Sequence, residues 1–402
     1  MKILMVCTEY PPMKGGLARY TANLTSSLEK LGNEVYIACN EDGSGDYLGL
    51  SPTNCNNSEI LMDIVDKLRP DVVHIQFEPG LYGLILDMKD PKKSGTYIDT
   101  FYHKCKVPIV TTFHTGYTLR HWLAQAPIVK KTGRTGKLGI PARAAIRLWK
   151  YTLNYNAFSN LNKEKLLSSR AGITFSHYMS ALIGGGKDDS RCHIIYHGSN
   201  PAMTISPTKA EARAYFGLDH DTKIALALGF RTVTKGWDIL RQLLLPKGWI
   251  IVTNSSRSHY NTETIHFEEH DRNDYRIVDL KRGYLSESDL SLLFYASDVL
   301  LLPYTVTAGS GVMFDGLSHG IPFVSTDIGF FKEFANMGLG IASKRDPASF
   351  SASLQGVEQN YEFYKENVAN FRPKLSWSFV AQEHMMVYSS VINKIDYRKI
   401  QR

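Results

Sequence analysis

Two polar residues directly follow short apolar runs in the first half of the chain. Glu78 comes after the run Val72–Phe77, and His114 comes after Phe113, at the end of the predicted strand that begins at Pro108. In sheets of parallel strands, ligands bind beyond the carboxyl ends of the strands, so both side chains are placed to contact a substrate. A lone polar residue at a strand end can equally be a satisfied structural group, and both interpretations stay open on these residues alone.

A glycine pair, Gly15-Gly16, stands between the first apolar run and the first helical pattern. Glycines at a helix start let the backbone approach a ligand closely, with N–H groups and the positive dipole end directed at an anion. The spacing differs from G-x-G-x-x-G, which disfavours a nicotinamide dinucleotide. A simple tight turn is the alternative.

The second half carries two cations at a strand end, Arg231 and Lys235, within GFRTVTKG at residues 229–236. Two cations at one strand end can neutralise a diphosphate, and the arginine fork matches phosphate oxygens. Two solvated loop cations are the alternative interpretation.

The most informative stretch is 301–324, where a strand, a loop of small residues, a helix and a second strand follow one another. Ser310 is of a type that caps helices. The N–H groups of Gly311 and Val312, next in the chain, could then hold a phosphate. Asp315, one turn further on, could accept hydrogen bonds from sugar hydroxyls. A cap without a ligand is the simpler alternative.

Two series of alternating strands and helices position these residues, which predicts an α/β protein with two doubly wound halves facing a cleft. The second series includes a predicted helix over 235–244 and a predicted strand over 276–283. We predict four segments: an N-terminal Rossmann-like domain over 1–197, a linker over 198–209, a second Rossmann-like domain over 210–375, and a closing C-terminal helical segment over 376–402.

The composition is that of an ordinary globular protein: 402 residues, 43% hydrophobic and 21% charged, with a net charge of +7. It excludes collagen, coiled coil and bulk disorder. The five cysteines are scattered and never paired as C-x-x-C, which fits a reducing compartment. No window has 18 uncharged apolar residues, so we expect a cytoplasmic protein, soluble or peripheral at the inner face of a membrane.

The basic charge is local. From Thr100 to Lys163 the chain has eleven lysines and arginines and no Asp or Glu. We predict a basic amphipathic segment over 120–163, in which Arg143, Arg147 and Lys150 share a helix face. Such a segment suits an anionic membrane surface or an anionic acceptor. A solvated basic face is the alternative; nucleic acid is disfavoured because no nucleic-acid motif accompanies the charge.

Taken together, these motifs resemble glycosyltransferase family 4 (group 1), the retaining type with the GT-B fold, over nearly the whole chain. The shared stretches, in order, are EYPPMKGGLARYTANLTSSLEKLGNEV, TTFHT, IIYHGSN, GFRTVTKGWDIL, GYLSESDLSLLFYASDVLLLPY, SGVMFDGLSHGIPFVSTD and SWSFVAQEHMMVYSSVI. The last resembles the family's closing helix, which crosses back to the first domain. The resemblance implies a sugar-nucleotide donor held mainly by the second domain and an acceptor held mainly by the first.

Carried over position by position, the resemblance assigns binding of the donor mainly to residues of the second domain. Arg231 and Lys235 would hold the diphosphate, and Gly311 and Val312 would offer it backbone N–H groups. Asp315 would bind the ribose hydroxyls.

The resemblance also assigns roles near the base, the phosphates and the acceptor. The Gly15-Gly16 loop would lie near the donor phosphates, and Tyr284 and Leu285 would flank the base. His114 would lie close to the transferred sugar. We also expect Glu78 and His114 to contact the acceptor, because both stand at strand ends of the first domain.

Two positions depart from the family pattern. The family's two glutamates spaced E-x7-E are here Thr307 and Asp315. The family's usual arginine, five residues before the lysine, is here Phe230, with Arg231 beside it. Thr307 removes a carboxylate near the donor sugar, and Arg231 would reach the phosphate only from a shifted loop.

The resemblance implies transfer of a hexose to a glycan or lipid-linked acceptor, with His114, Arg231 and Lys235 as catalytic residues. Fixed positive groups would stabilise the leaving diphosphate. No D-x-D motif stands in the expected place, so we expect no metal and no cofactor, with retention of anomeric configuration. The alternatives are a soluble small-molecule acceptor, a GT-B-like phosphorylase or epimerase, and a non-catalytic sugar-nucleotide binder.

Overall fold

The structure is a computed structural model, which describes residues 1–87, 90, 93–124, 140–186, 189–203, 205–256 and 276–393. The chain divides into two compact units. Unit 1 comprises Met1–Gly198 and the C-terminal helix, and unit 2 comprises Ser199–Ser376. The division falls at the start of the segment 198–209 that the sequence suggests as a linker.

Unit 1 is built on six parallel strands in the order β2-β1-β3-β4-β5-β6. The strands are β1 (Lys2–Val6), β2 (Glu34–Ala38), β3 (Val72–Phe77), β4 (Ile109–Phe113), β5 (Ala171–Thr174) and β6 (Cys192–Ile194). Every residue of β3 and β4 is buried, as expected for central strands covered on both faces.

The helices of unit 1 follow the strands in alternation. They are α1 (Gly16–Lys30), α2 (Asn57–Leu68), α3 (Asp99–Lys104), α4 (Leu119–Ala124), α5 (Ile140–Ser168) and α6 (His177–Ile183), with a 3₁₀ turn at Pro79–Tyr82. Helix α1 buries one face, which includes Tyr20, Leu24 and Leu28, and exposes the other.

Unit 2 repeats the arrangement with the strand order β12-β11-β10-β7-β8-β9. Its strands are β7 (Lys223–Phe230), β8 (Trp249–Ser256), β9 (Ile277–Asp279), β10 (Val299–Leu302), β11 (Phe323–Thr326) and β12 (Gly340–Ser343). Its helices are α7 (Lys209–Tyr215), α8 (Glu287–Ala296), α9 (Gly311–Ser318), α10 (Gly329–Ala335), α11 (Pro347–Gln359) and α12 (Tyr361–Phe371), followed by a 3₁₀ turn at Arg372–Leu375.

The last described helix, α13 (Trp377–Asn393), belongs to unit 1. It packs on α1, where the Trp377 and Tyr20 ring centroids are 5.2 Å apart. A Cβ at Gly198 would overlap the Trp377 ring, so this position requires glycine. The closing helix expected from the sequence is therefore part of the first unit.

Two predicted elements of unit 2 are wrong in type or length. The predicted helix over 235–244 is two 3₁₀ turns, Val233–Lys235 and Trp237–Gln242. Gly236 between them has φ 68°, and a Cβ there would overlap the carbonyl oxygen of Pro303. This left-handed residue interrupts the helical path.

The predicted strand over 276–283 is only Ile277–Asp279. Lys281 and Gly283 adopt positive φ angles of 53° and 69°, which end the extended conformation. Asn254 holds this bend, because its side chain accepts from the Arg282 N–H at 3.0 Å and donates to the Gly283 carbonyl at 2.8 Å.

The predicted basic segment 120–163 is described in part. Residues 125–139 lie outside the described residues, as do the side chains of Arg143 and Arg147. From Ile140 the chain forms α5. Among the helices that the structure describes, none has the length and apolarity to cross a membrane.

Candidate functional site

The end of β7 places Lys235 against the ring of Tyr304, in unit 2. The lysine stem passes beside Gly229, and the Lys235 Nζ lies 3.9 Å from the Tyr304 ring centroid. The Thr305 N–H donates to the Thr234 carbonyl at 2.9 Å, which joins the two loops. A cation over the face of a buried aromatic ring is held by the ring quadrupole. The ammonium is thus fixed beside the loop that precedes α9.

Tyr304 also connects the lysine to the start of α9. The Ser310 Oγ lies 3.5 Å from the Tyr304 hydroxyl and accepts from the Met313 N–H at 3.2 Å, so Ser310 is the cap that the sequence predicts. The N–H groups of Gly311 and Val312 lie in the first turn, where a helix offers donors without intrahelical partners. A cation and a helix N-terminus therefore share one end of the unit 2 sheet, which is an arrangement suited to an anion.

Arg231 is anchored on the neighbouring strands. Its Nε donates to the Ser255 Oγ at 2.7 Å, and its guanidinium lies 3.8 Å from the Asp279 carboxylate. Lys235 is held by Tyr304 instead, so the two predicted diphosphate ligands have separate supports.

Asp315 is buried, with 3% of its surface exposed. Its Oδ1 accepts a hydrogen bond from the Ser199 Oγ at 2.6 Å, and the Ser199 Oγ lies 3.0 Å from the Ser318 Oγ. Ser199 comes from the predicted linker, 116 residues away in sequence. No sequence pattern indicates this partner, and sequence analysis missed it. The ribose ligand suggested by the resemblance is therefore a carboxylate already oriented by a serine.

Thr307, at the position of a family glutamate, forms hydrogen bonds within its own loop. Its hydroxyl donates to the Gly309 carbonyl and accepts from the Gly309 N–H. The predicted base-flanking residues follow the bend held by Asn254: Tyr284 is 44% exposed and Leu285 is partly buried.

In unit 1 the two glycines differ in surroundings. A Cβ at Gly15 would overlap the Glu9 carboxylate, whereas a Cβ at Gly16 would meet nothing within 4 Å. The close approach expected at this turn is thus made by a side chain of the same unit. Glu9 is buried and was not identified from the sequence; its position three residues beyond the end of β1, after Cys7 and Thr8, was the available signal.

Glu78 follows β3 and is partly buried. Burial raises its pKa to about 7, and the negative charge of Glu9 adds to the effect, against the lowering contribution of the Gly80 backbone hydrogen bond. Such a carboxyl exchanges its proton near neutral pH, which suits contact with a hydroxyl.

His114 follows β4, and its backbone N–H donates to the Phe77 carbonyl at 3.0 Å. Its Nε2 lies 2.9 Å from the Gln76 Oε1. Its ring meets the rings of Tyr20 and Phe175 edge-on, with centroids 5.2 Å apart in each case. Burial lowers the pKa of His114 to about 3, with a contribution from His197, so the ring is neutral. It is a hydrogen-bonding group rather than a cation.

The family model of Glycosyltransferase Family 4 matches residues 14–202. These residues make up nearly all of unit 1 before the C-terminal helix. The match covers just under half of the chain and agrees with the family resemblance recognised in the sequence: unit 1 is similar to a family 4 glycosyltransferase. Among curated protein sequences, none matches this chain.

Solved structures show the GT-B fold over the whole chain. Sucrose-phosphate synthase from Thermosynechococcus elongatus is 13% identical with a TM-score of 0.67, over 98% of this chain and 99% of that one. Anabaena HepE in complex with UDP is 13% identical with a TM-score of 0.63, over 97% and 100%. WaaG, a glycosyltransferase involved in lipopolysaccharide biosynthesis, is 15% identical with a TM-score of 0.59, over 96% and 99%.

Proposed function

We propose that the protein transfers a hexose from a nucleoside diphosphate donor to an acceptor, with retention of configuration at the anomeric carbon and without a metal ion. The observation that carries the proposal is the convergence of Lys235, Tyr304 and the Ser310-capped start of α9. A structure of the same fold, HepE, is a complex with UDP, which supports a nucleotide ligand for this chain.

The chemistry follows from the charge that develops during transfer. The nucleoside diphosphate leaves with growing negative charge, and the anomeric carbon gains oxocarbenium character. The Lys235 ammonium and the N–H groups of Gly311 and Val312 would stabilise the departing phosphate. These groups are positioned before the reaction by the Tyr304 ring and the Ser310 cap, so they need little reorganisation.

The remaining groups supply binding. Asp315 would accept from the ribose hydroxyls, and Arg231 would reach the diphosphate from its anchor on β8 and β9. In unit 1, His114 would contact the transferred sugar and Glu78 the acceptor. The Gly15-Gly16 turn would lie near the donor phosphates.

We propose an acceptor at a membrane surface, lipid-linked or part of an envelope glycan. Helix α5 supports this, because Leu148 and Trp149 are 54% and 62% exposed and Lys150 beside them is also exposed. Exposed apolar side chains next to a cation suit the interface of an anionic bilayer. The absence of acidic residues from Thr100 to Lys163 adds to the attraction. We propose a cytoplasmic protein that contacts the inner face of the membrane.

The test is a transfer assay with purified protein, UDP-, GDP- and ADP-hexoses, and lipid-linked or soluble acceptors, with and without EDTA. The expected result is release of a nucleoside diphosphate that EDTA does not suppress, with the anomeric configuration retained by NMR. Release of sugar 1-phosphate in the presence of phosphate would indicate a phosphorylase. Interconversion of the donor sugar would indicate an epimerase, and binding without turnover a non-catalytic protein.

A further inference from the structure

Gln76 lies fully buried in β3 between His114 and the core of unit 1. Its Oε1 is 2.9 Å from the His114 Nε2. Its amide nitrogen is 3.2 Å from the Met5 Sδ and 3.3 Å from the His74 Nε2. One side chain therefore joins the site histidine to two buried residues behind it.

The thioether of Met5 determines which way the amide faces. A thioether accepts hydrogen bonds but cannot donate them. The amide NH₂ must therefore face Met5, and the carbonyl oxygen must face His114. An oxygen that only accepts requires a protonated His114 Nε2, so this nitrogen is the donor.

His114 is neutral, as its lowered pKa shows, and so carries one ring proton. With that proton on Nε2, the lone pair is on Nδ1. Nδ1 has no hydrogen-bond partner among the residues that the structure describes, and the ring is partly exposed. The one open polar atom of the ring is thus an acceptor.

The network behind Gln76 is anchored on two further elements. The His74 Nε2 lies 2.8 Å from the Thr112 Oγ1 of β4, and the His74 Nδ1 lies 2.6 Å from the Tyr388 hydroxyl of α13. All three residues are fully buried, so solvent does not compete for these bonds.

We propose that Gln76 is a positioning residue for His114: it holds the neutral ring with Nε2 protonated, so that Nδ1 accepts a hydrogen bond from a hydroxyl of the bound sugar. The identity of that ligand rests on the proposed function, whereas the tautomer does not. His114 then acts as an oriented acceptor, and Gln76 determines its orientation without touching substrate.

The experiment uses the full chain with ¹⁵N-labelled histidine, in which His114→Gln identifies the His114 signals. In the wild-type protein, NMR should show His114 neutral with Nε2 protonated from pH 5 to 8. Gln76→Met should lose this preference, and Gln76→Glu should raise the pKa of His114, because a carboxylate favours the charged ring. The exposed Gln382→Met on α13 is the matched control and should change nothing.

Kinetics give the second readout. For Gln76→Met, kcat should fall about 10- to 100-fold, the scale of a misplaced contact, with nucleotide binding unchanged. For Gln76→Glu, kcat should fall as the pH is lowered through the raised pKa of His114. Because His197 also faces this ring, its signals are followed in the same titration.

Either of two results would overturn the inference: a wild-type His114 protonated on Nδ1, or a wild-type tautomer and unchanged pH profile in both Gln76 variants. If circular dichroism shows that Gln76→Met is unfolded, the tautomer and pH profile of Gln76→Glu alone test the inference. If His114 is protonated on Nε2 but the protein transfers no sugar, the proposed function is rejected. The positioning of His114 by Gln76 is then still supported.

Discussion

The Lys235 ammonium lies 3.9 Å from the centroid of the Tyr304 ring, and the hydroxyl of that tyrosine is 3.5 Å from the Ser310 cap of α9. A single buried ring therefore links a cation to a helix N-terminus across 75 residues of sequence. The link explains how a lysine on a loop can hold a defined position. It also makes Lys235 the residue whose removal should affect catalysis most.

Replacing Lys235 with alanine should lower kcat by about 10²- to 10³-fold, the usual effect of removing one preorganised group that stabilises transition-state charge. The exposed Lys247, which precedes β8 in the same unit, provides a control with the same change of charge. Steady-state kinetics on both variants check this. Equal losses in the two, or no loss in Lys235→Ala, would contradict the role given to Lys235.

Variants of Asp315 and Ser199 should distinguish loss of nucleotide binding from loss of stability. Ser199→Ala removes a hydroxyl that donates to a buried carboxylate, so it should destabilise unit 2 by about 1–3 kcal/mol. It should nevertheless keep stabilisation by nucleotide, because Asp315 remains. Asp315→Asn should lose that stabilisation. Thermal unfolding with and without nucleotide distinguishes them, and an Asp315→Asn variant that binds normally would reject the ribose role.

Membrane attachment should depend on the basic segment. Changing Arg143, Arg147 and Lys150 to serine should reduce sedimentation with anionic liposomes, since each basic residue near such a surface contributes about 1 kcal/mol. Three exposed lysines elsewhere in unit 1, at positions 30, 67 and 93, provide a triple variant with the same loss of charge. Equal partitioning of the two triple variants would favour a soluble acceptor.

Buried histidines should make unit 1 less stable in mild acid. Burial lowers the pKa of His384 to about 4, although a hydrogen bond to Val380 opposes the shift. Burial also lowers the pKa of His74 well below its usual value, and His384 and His114 add to this. The unfolded chain binds protons at these rings below pH 6.5 and the folded state does not. The free energy of unfolding should therefore decrease by about 1.4 kcal/mol per pH unit for each ring as the pH falls.

Glu78 acts in the opposite direction. With a folded pKa of about 7 it stays protonated where the unfolded carboxyl is charged, so it stabilises unit 1 as the pH falls toward 4.5. The three histidines, including His114, outweigh this one carboxyl. Hydrogen exchange of β3 and α13 peptides between pH 7.5 and 5 measures the balance, and His384→Gln should flatten the slope. Stability that rises on acidification would show the histidine assignment to be wrong.

Local patterns predicted the parts of the fold that depend on neighbours in sequence. The apolar run Val72–Phe77 coincides with β3, and the serine before Gly311 is the predicted cap of α9. The predicted helix over 235–244 failed because Gly236 takes its conformation next to the Pro303 carbonyl, which lies far along the chain.

The site shows the same limit. Residue types and spacing indicated His114, Lys235 and Asp315, but their orienting partners come from distant segments. Gln76 faces His114 because Met5 receives its amide, and Ser199 meets Asp315 from the start of unit 2. Such pairs leave no periodic trace in the sequence, so only the three-dimensional structure reveals them.

The most direct test of the central claim is a thermal-shift panel of UDP, GDP, ADP and their hexose conjugates, with and without divalent metal, on wild-type protein, Lys235→Ala and Asp315→Asn. One nucleotide series should stabilise the wild-type protein without metal, by about 2.7 kcal/mol at 100 times its dissociation constant, and should stabilise neither variant. If no nucleotide shifts the unfolding temperature of the folded wild-type protein, or if all three proteins are stabilised equally, a donor site at Lys235 and the start of α9 is contradicted.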